Sequence, residues 1–267
     1  MKANQIITKL EDWISPKLID TWDRTGFQIG EGGKEVKGIL LALDITREVV
    51  NTALDYGCNM IITHHPFIFS PIESITDKTY KGRLIKLIIK NDLVIYNAHS
   101  NLDLVEGGVN DVLAELLHLK MTIPIKPIFL DLLNNSDKEY GYGRVGAIDE
   151  ISLKELIDRI KTKLDIDYLK VYGETAECIK KVAICGGSGS EFILDAKEKG
   201  AQVYITGDIK YHDAQLAYEE DIVLIDATHY HTEKVILEEL KKRLIDITDN
   251  NTKIRVYDKM TFPYKFQ

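Results

Sequence analysis

The sequence predicts an α/β fold made of two similar halves, each a three-layer arrangement of helices on a largely parallel sheet. Three observations carry the prediction. Short β-branched apolar runs alternate with stretches of helical apolar spacing, the pattern of βαβ units. The order strand, helix, strand, helix, strand occurs twice along the chain. The two occurrences also align down to the polar residues that close each strand: DYGCNMIITHHP lies over EKGAQVYITGDI, and NDLVIYNAHSNLD over EDIVLIDATHYHTE.

Taken in order, GILLALDIT (38–46) reads as the first strand and REVVNTALDYG as the helix after it. CNMIITHH is the second strand, KGRLIKLIIKND the second helix, and LVIYNAH the third strand, ending at His99. In the second half the strand KVAICGG (181–187) leads to a helix in SEFILDAKEKG, a strand AQVYITGD, a helix around YHDAQLAYEE and a strand DIVLIDATH ending at His229. Between the halves, residues 121–146 hold two of the six prolines and an Asn-Asn-Ser-Asp turn, the best candidate for a boundary. ISLKELIDRIKTKL after it has helical spacing, and KIRVYDKMTF near the end reads as a late strand that returns to the first domain. The expected domains are therefore 1–126 with 230–267, and 127–229.

Composition narrows the function. With 267 residues and 45% apolar content the chain can build one large core or two ordinary ones. No signal-peptide pattern and no run of about 18 apolar residues is present, so a cytoplasmic protein without membrane contact is expected. A net charge of -8, with basic residues spread thinly, argues against a nucleic-acid footprint and for small-molecule partners or copies of itself. Cys58, Cys178 and Cys185 are odd in number and in no CxxC spacing; they read as core thiols, not as a disulfide framework or a zinc ribbon.

The chemistry concentrates at strand ends. His64 and His65 would face opposite sides of a regular strand, but Pro66 ends it, and both can then turn toward one pocket. His99 and Asp103, like His229 and Glu233, are four residues apart, so a helical turn after each strand puts imidazole and carboxylate on one face. In the aligned halves His99 falls on His229 and Asp103 on Glu233. Each half thus offers histidine and hard oxygen from the carboxyl ends of parallel strands, where open sheets bind ligands, and a cleft between the halves is the expected site. The plain alternative is that the carboxylates complement helix dipoles and the histidines are caps or core. Four histidines and two carboxylates at predicted strand ends favour metal, and mixed imidazole and carboxylate ligation suits Zn, Mn, Fe, Co or Ni without choosing among them.

Other stretches carry less. GGSGS (186–190) opens a helix after a strand but fits no nucleotide fingerprint, so it reads as a tight turn. GDIKYHDA occupies in the second half the place of the HHP motif, bringing Asp208, Lys210 and His212 forward to bind an anionic substrate or move a proton. His231 reads as a helix-surface residue, and WDRTGFQIG (22–30) as a structural loop with a glycine turn leading to the first strand.

TWDRTGFQIG, LALDIT, IITHHPFIF, NAHSNLDLVEGGVND, VAICGGSGSEFILDA, YITGDIKYHDA and IDATHYHTE occur in order over nearly the whole chain, which thereby resembles the Nif-three-like family. These are dinuclear-metal-centre hexameric proteins, also known as GTP cyclohydrolase 1 type 2 homologues. The resemblance implies metal ligands at His64, His65, Asp103, His229 and Glu233, with Glu233 bridging two divalent ions, and places His99 beside them. It implies a toroidal homohexamer in the short form, without the domain that longer members insert between the halves. Two positions depart from the family pattern: Arg24 replaces the Asn of its WDN motif, and Thr228 replaces the Gly before the site histidine.

Two divalent ions would carry +4, and Asp103 with Glu233 return only -2, so a bridging hydroxide or an anionic substrate completes the balance. Hydrolysis of an anionic substrate, with nucleotides among the candidates, is the leading reaction class, and His99, Lys210 or His212 would move protons. The competing reading is a metal-delivery or regulatory interaction protein whose ions are cargo or hold the site together.

Overall fold

The computed structural model describes residues 1–128, 140–175, 178–249 and 252–259. The described chain forms two compact units, Met1–Leu102 with Leu237–Lys259, and Asp103–Ile236.

In the first unit a five-stranded sheet runs Gly26–Ile29, Val94–Asn97, Met60–Thr63, Gly38–Ala42, Lys253–Val256. The last four strands are mutually parallel and the first is antiparallel to its neighbour. Every residue of the three central strands is buried, as expected where both faces of a parallel sheet are covered. One face, through Leu40, Ile61 and Ile95, packs on Val49, Val50 and Ala53 of helix Arg47–Asp55 and on Leu84 and Ile88 of helix Tyr80–Lys90. Both helices start with a capped turn, in which Thr46 accepts from the N–H of Val49 at 3.2 Å and Thr79 from that of Gly82 at 3.0 Å. On the other face Tyr96 donates to Glu11 of helix Ala3–Glu11. The late strand Lys253–Val256 does return to this sheet, parallel to Gly38–Ala42.

The second unit holds a six-stranded sheet in the order Lys120–Ile123, Arg144–Ile151, Ile179–Ser188, Val203–Gly207, Val223–Asp226, Lys170–Tyr172. Its central run Ile179–Ser188, Val203–Gly207, Val223–Asp226 is parallel and has the same strand and helix order as the first unit. The flanking strands are antiparallel, so this sheet is mixed. Strand Arg144–Ile151 comes from the GYGRVG stretch read as part of a boundary; three glycines there hide the alternation that marks a strand.

The divisions at 102/103 and 236/237 differ from those expected at 126/127 and 229/230. Helix Val109–Leu116 packs on strands Ile179–Ser188 and Arg144–Ile151, and Leu113 and Leu117 sit in the second unit's core, which draws residues 103–126 into that unit. Helix His229–Glu233 packs on Ile179–Ser188 as well. Cys58 and Cys185 are buried as expected, whereas Cys178, one residue before strand Ile179–Ser188, is exposed. Among the described residues no helix is long and apolar enough to cross a membrane.

A buried ion pair ties helix Val109–Leu116 to its sheet. Arg144, 3% exposed, reaches both carboxylate oxygens of Asp111 through Nε and Nη2, and its Nη1 donates to the carbonyls of Gly141 at 2.9 Å and Gly143 at 2.8 Å. Removing one partner of such a pair leaves a charge buried alone, at a cost of about 3–5 kcal/mol. Asp111→Ala is therefore expected to lower the unfolding free energy by that amount, read as a lower urea midpoint at unchanged slope; a loss below about 1 kcal/mol would show that water reaches the guanidinium.

Candidate metal centre

In the first unit the strand Met60–Thr63 stops one residue before the histidine pair, and Pro66 has no N–H to continue a ladder. The backbone N–H groups of His64 and His65 still bond to Ala42 and Leu43, at 3.2 and 2.9 Å, which holds both residues at the sheet's carboxyl edge. The strict alternation of faces is gone, and the two rings lie with centroids 5.1 Å apart. His99, two residues beyond strand Val94–Asn97, places its ring 5.2 Å from His64 and 5.7 Å from His65. Each of the three offers a nitrogen within 4.8 Å of the others.

What aims these rings is the bond each makes at Nδ1. His64 Nδ1 lies 2.9 Å from the carbonyl of Ala98, His65 Nδ1 2.9 Å from Asp44 Oδ1, and His99 Nδ1 2.9 Å from Asp23 Oδ1. Carbonyls and ionised carboxylates only accept, so the proton belongs on Nδ1 and the lone pair on Nε2. That is the arrangement of ligating histidines, whose second nitrogen is fixed by a carboxylate or carbonyl.

Asp23 is the residue that the sequence did not disclose. Read as part of a structural loop, its carboxylate is fully buried and accepts from Arg24 N–H at 2.6 Å, Thr25 Oγ1 at 2.6 Å, Ser100 N–H at 3.1 Å and Ser100 Oγ at 2.7 Å, besides facing His99. Burial pushes its carboxyl up, but the hydrogen bonds from His99, Thr25 and Ser100 outweigh it and hold the group well below the usual carboxylate range. The loop is also more regular than expected, since Gly26–Ile29 is a strand of the sheet.

In the second unit His229 and Glu233 are the first and last residues of one helical turn, and their Nε2 and Oε2 lie 3.0 Å apart, the one-face placement that the spacing predicted. Asp208 Oδ2, 2.8 Å from His229 Nδ1, plays here the part that Asp44 plays for His65. Glu233 has a side chain only 5% exposed, and an oxygen of Asp103 lies within 4.8 Å of it. Two carboxylates this close, one buried, repel unless a cation or proton is shared. The mixed imidazole and carboxylate donor set fits a divalent ion such as Zn, Mn, Fe, Co or Ni.

Backbone geometry makes room for it. Gly187, φ +66, faces Glu233: a Cβ there would sit 2.1 Å from Glu233 Oε1. The GGSGS stretch is not the tight turn expected: Gly186, Gly187 and Ser188 close strand Ile179–Ser188, and Gly187 makes the cradle for the carboxylate. Thr228 has φ +63 and ψ 147, a region a β-branched residue enters only under strain. Its side chain offsets the strain by accepting from the N–H of His231 at 3.3 Å and bonding His231 Nδ1 at 2.6 Å. His231 is thus not a surface residue; it is 6% exposed, and burial, helped by Lys234, pushes its imidazole down to about 4.

Lys210 and His212 start the exposed helix Tyr211–Glu219. Lys210 N–H donates to Asp213 at 2.9 Å and His212 Nδ1 lies 3.4 Å from Gln215, both within the first turns of that helix.

The model of the family Duf34/NIF3 (NGG1p interacting factor 3) matches residues 1–263 of the chain. A GTP cyclohydrolase 1 type 2 homolog of Clostridium perfringens is 37% identical over 267 residues, all of both chains. One from a Nostoc species is 37% identical over 249 residues, 91% of each. Among solved structures, a Bacillus cereus protein related to NIF3 superposes with a TM-score of 0.93 at 27% identity, over 100% of this chain and 99% of that one. A Staphylococcus aureus protein gives 0.91 at 31% identity with the same coverage.

Because the Asp23 carboxyl is held below its ordinary value, its contribution to stability is complete above the unfolded-state pKa of about 3.9 and is lost as pH falls toward the folded value. Asp23→Asn is expected to cost about 1.5–3 kcal/mol at pH 7, the worth of hydrogen bonds to a charged group, and clearly less at pH 3. Urea unfolding at the two pH values measures this; equal losses would mean that the carboxylate charge plays no part.

Proposed function

The chain belongs to the Duf34/NIF3 family, and from that premise we propose that it is a dinuclear metal-dependent hydrolase. His64, His65, Asp103, His229 and Glu233 would hold two divalent ions, Glu233 bridging them, and the substrate would be small and anionic, in the nucleotide class. The relatives named GTP cyclohydrolase 1 type 2 homologs support the nucleotide class. The observation that supports the metal reading is the tether at Nδ1 of His64, His65 and His229, which puts the lone pair of each ring on Nε2, the atom that would take an ion. With the family comes assembly into a toroidal homohexamer, which we include in the proposal.

Divalent ions in such a donor set supply Lewis acidity and bring the pKa of water toward neutrality. The chain's own residues then orient and move protons. His99 is assigned proton transfer at Nε2, because Asp23 fixes its Nδ1–H and keeps the ring from turning away. Lys210 and His212, exposed at a helix start, are assigned contact with the substrate's anionic end. Asp44 and Asp208 hold their histidines in register and take no part in the chemistry.

Metal-loaded protein assayed against phosphorylated and heterocyclic compounds, GTP included, is expected to show turnover that a chelator abolishes. Glu233→Gln should lower it by more than the roughly 10- to 100-fold typical of residues that merely support ligands. Rapid handover of metal to a chelator with no turnover of any compound would favour the delivery reading instead.

A further inference from the structure

Beside the histidines of the first unit stand two large aromatic rings that the centre itself does not use. Trp22 is 52% exposed and Phe69 49% exposed. Their centroids are 6.3 Å apart with the planes inclined at 55°, and Trp22 meets His99 edge-on at 5.8 Å. Neither ring hangs on a slack loop. Gln28 joins the two segments, accepting from the N–H of Ile68 at 2.8 Å and donating to the carbonyl of Arg24 at 2.7 Å. Asp23, next to Trp22, is pinned by Thr25 and Ser100.

We propose that Trp22 and Phe69 form a shelf that binds a planar heteroaromatic group of the substrate by stacking, beside His99. A second protein chain is the other conceivable occupant, and area separates the two. A buried aromatic side chain covers about 150–250 Å², so two half-exposed rings leave roughly 200 Å² of aromatic surface. A stable protein interface needs about 800 Å² from each partner, whereas one stacked base needs little more than one ring face. The neighbour also matters: His99, partly exposed and edge-on to Trp22, puts a polar ring beside the shelf, suited to a heterocycle with hydrogen-bonding edges and unsuited to a dry apolar contact. The inference rests on the hydrolase reading only for what lies beside the shelf, and stacking itself needs no metal.

The test uses the metal-loaded protein and four nucleosides, guanosine, adenosine, cytidine and uridine, with ribose 5-phosphate as the probe lacking a base. Trp13 and Trp22 are the two tryptophans, so a Trp13→Phe background makes Trp22 the sole indole reporter. At least one nucleoside is expected to quench Trp22 saturably at up to millimolar concentration, while ribose 5-phosphate does not. By calorimetry Trp22→Leu should weaken that nucleoside roughly tenfold or more, and Trp22→Tyr should keep most of the affinity, because a stacking face is what matters. Metal content and sedimentation should be unchanged in both variants. The shelf is overturned if no nucleoside quenches Trp22, if Trp22→Leu binds as tightly as the parent, or if that variant changes oligomeric mass, which would identify a second copy as the occupant. Protein that takes up no metal on reconstitution yet binds a nucleoside would sink the metal reading and leave the shelf standing; protein that holds metal but binds no nucleoside would do the reverse.

Discussion

An imidazole can present a lone pair in a chosen direction only if something fixes its other nitrogen, and this constraint organises much of the fold around the centre. Ala98, Asp44, Asp23 and Asp208 supply that second contact at 2.8–2.9 Å for His64, His65, His99 and His229. Three of the four acceptors are carboxylates, which set the tautomer and raise the basicity of the ring they hold. Such contacts need a backbone that does not move, and parallel strands buried along their whole length provide it. The capped helices that follow return the chain to the next strand in the same direction, so each strand's carboxyl end delivers polar residues to one edge of its sheet.

The second unit shows what that placement costs in local strain. A carboxylate with almost no solvent exposure, a β-branched residue at positive φ and a glycine that must lack a Cβ all meet within one helical turn of His229. Backbone strain of this kind typically costs about 1–3 kcal/mol per residue and persists where surrounding structure enforces it. Here the hydroxyls of Thr228 and Thr232 do so, Thr232 donating to the carbonyls of Thr228 and His229 at 2.9 Å and accepting from Gly187 N–H at 3.0 Å. The threonine that departs from the family's glycine thus brings its own compensation, a hydroxyl bonded to the buried His231.

Much of this was legible in the sequence, for identifiable reasons. His64, His65, His99 and His229 each follow an apolar run at a strand's end, His99 and His229 at the same point of the repeat, and the spacing of Glu233 from His229 encodes a helical contact directly. Asp208 was visible as a polar strand-end residue and read as a substrate or proton contact, and Asp44 went unremarked within LALDIT; the role of each depends on a partner 21 positions away, a pairing that only the sheet creates. Asp23 was hidden more deeply, since its partner His99 is 76 positions off and its loop carries no periodicity. His231 looked exposed because one helical turn has too few residues to show which side is covered. The antiparallel strands of the second sheet escaped because glycine and charge interrupt their alternation.

The most direct measurement is the number of metal ions per chain, by elemental mass spectrometry on purified protein reconstituted at neutral pH and freed of excess metal. Near two ions per chain is the result expected of a dinuclear centre. Zero after reconstitution would contradict it, and the tethered histidines would then have to be explained as structure alone.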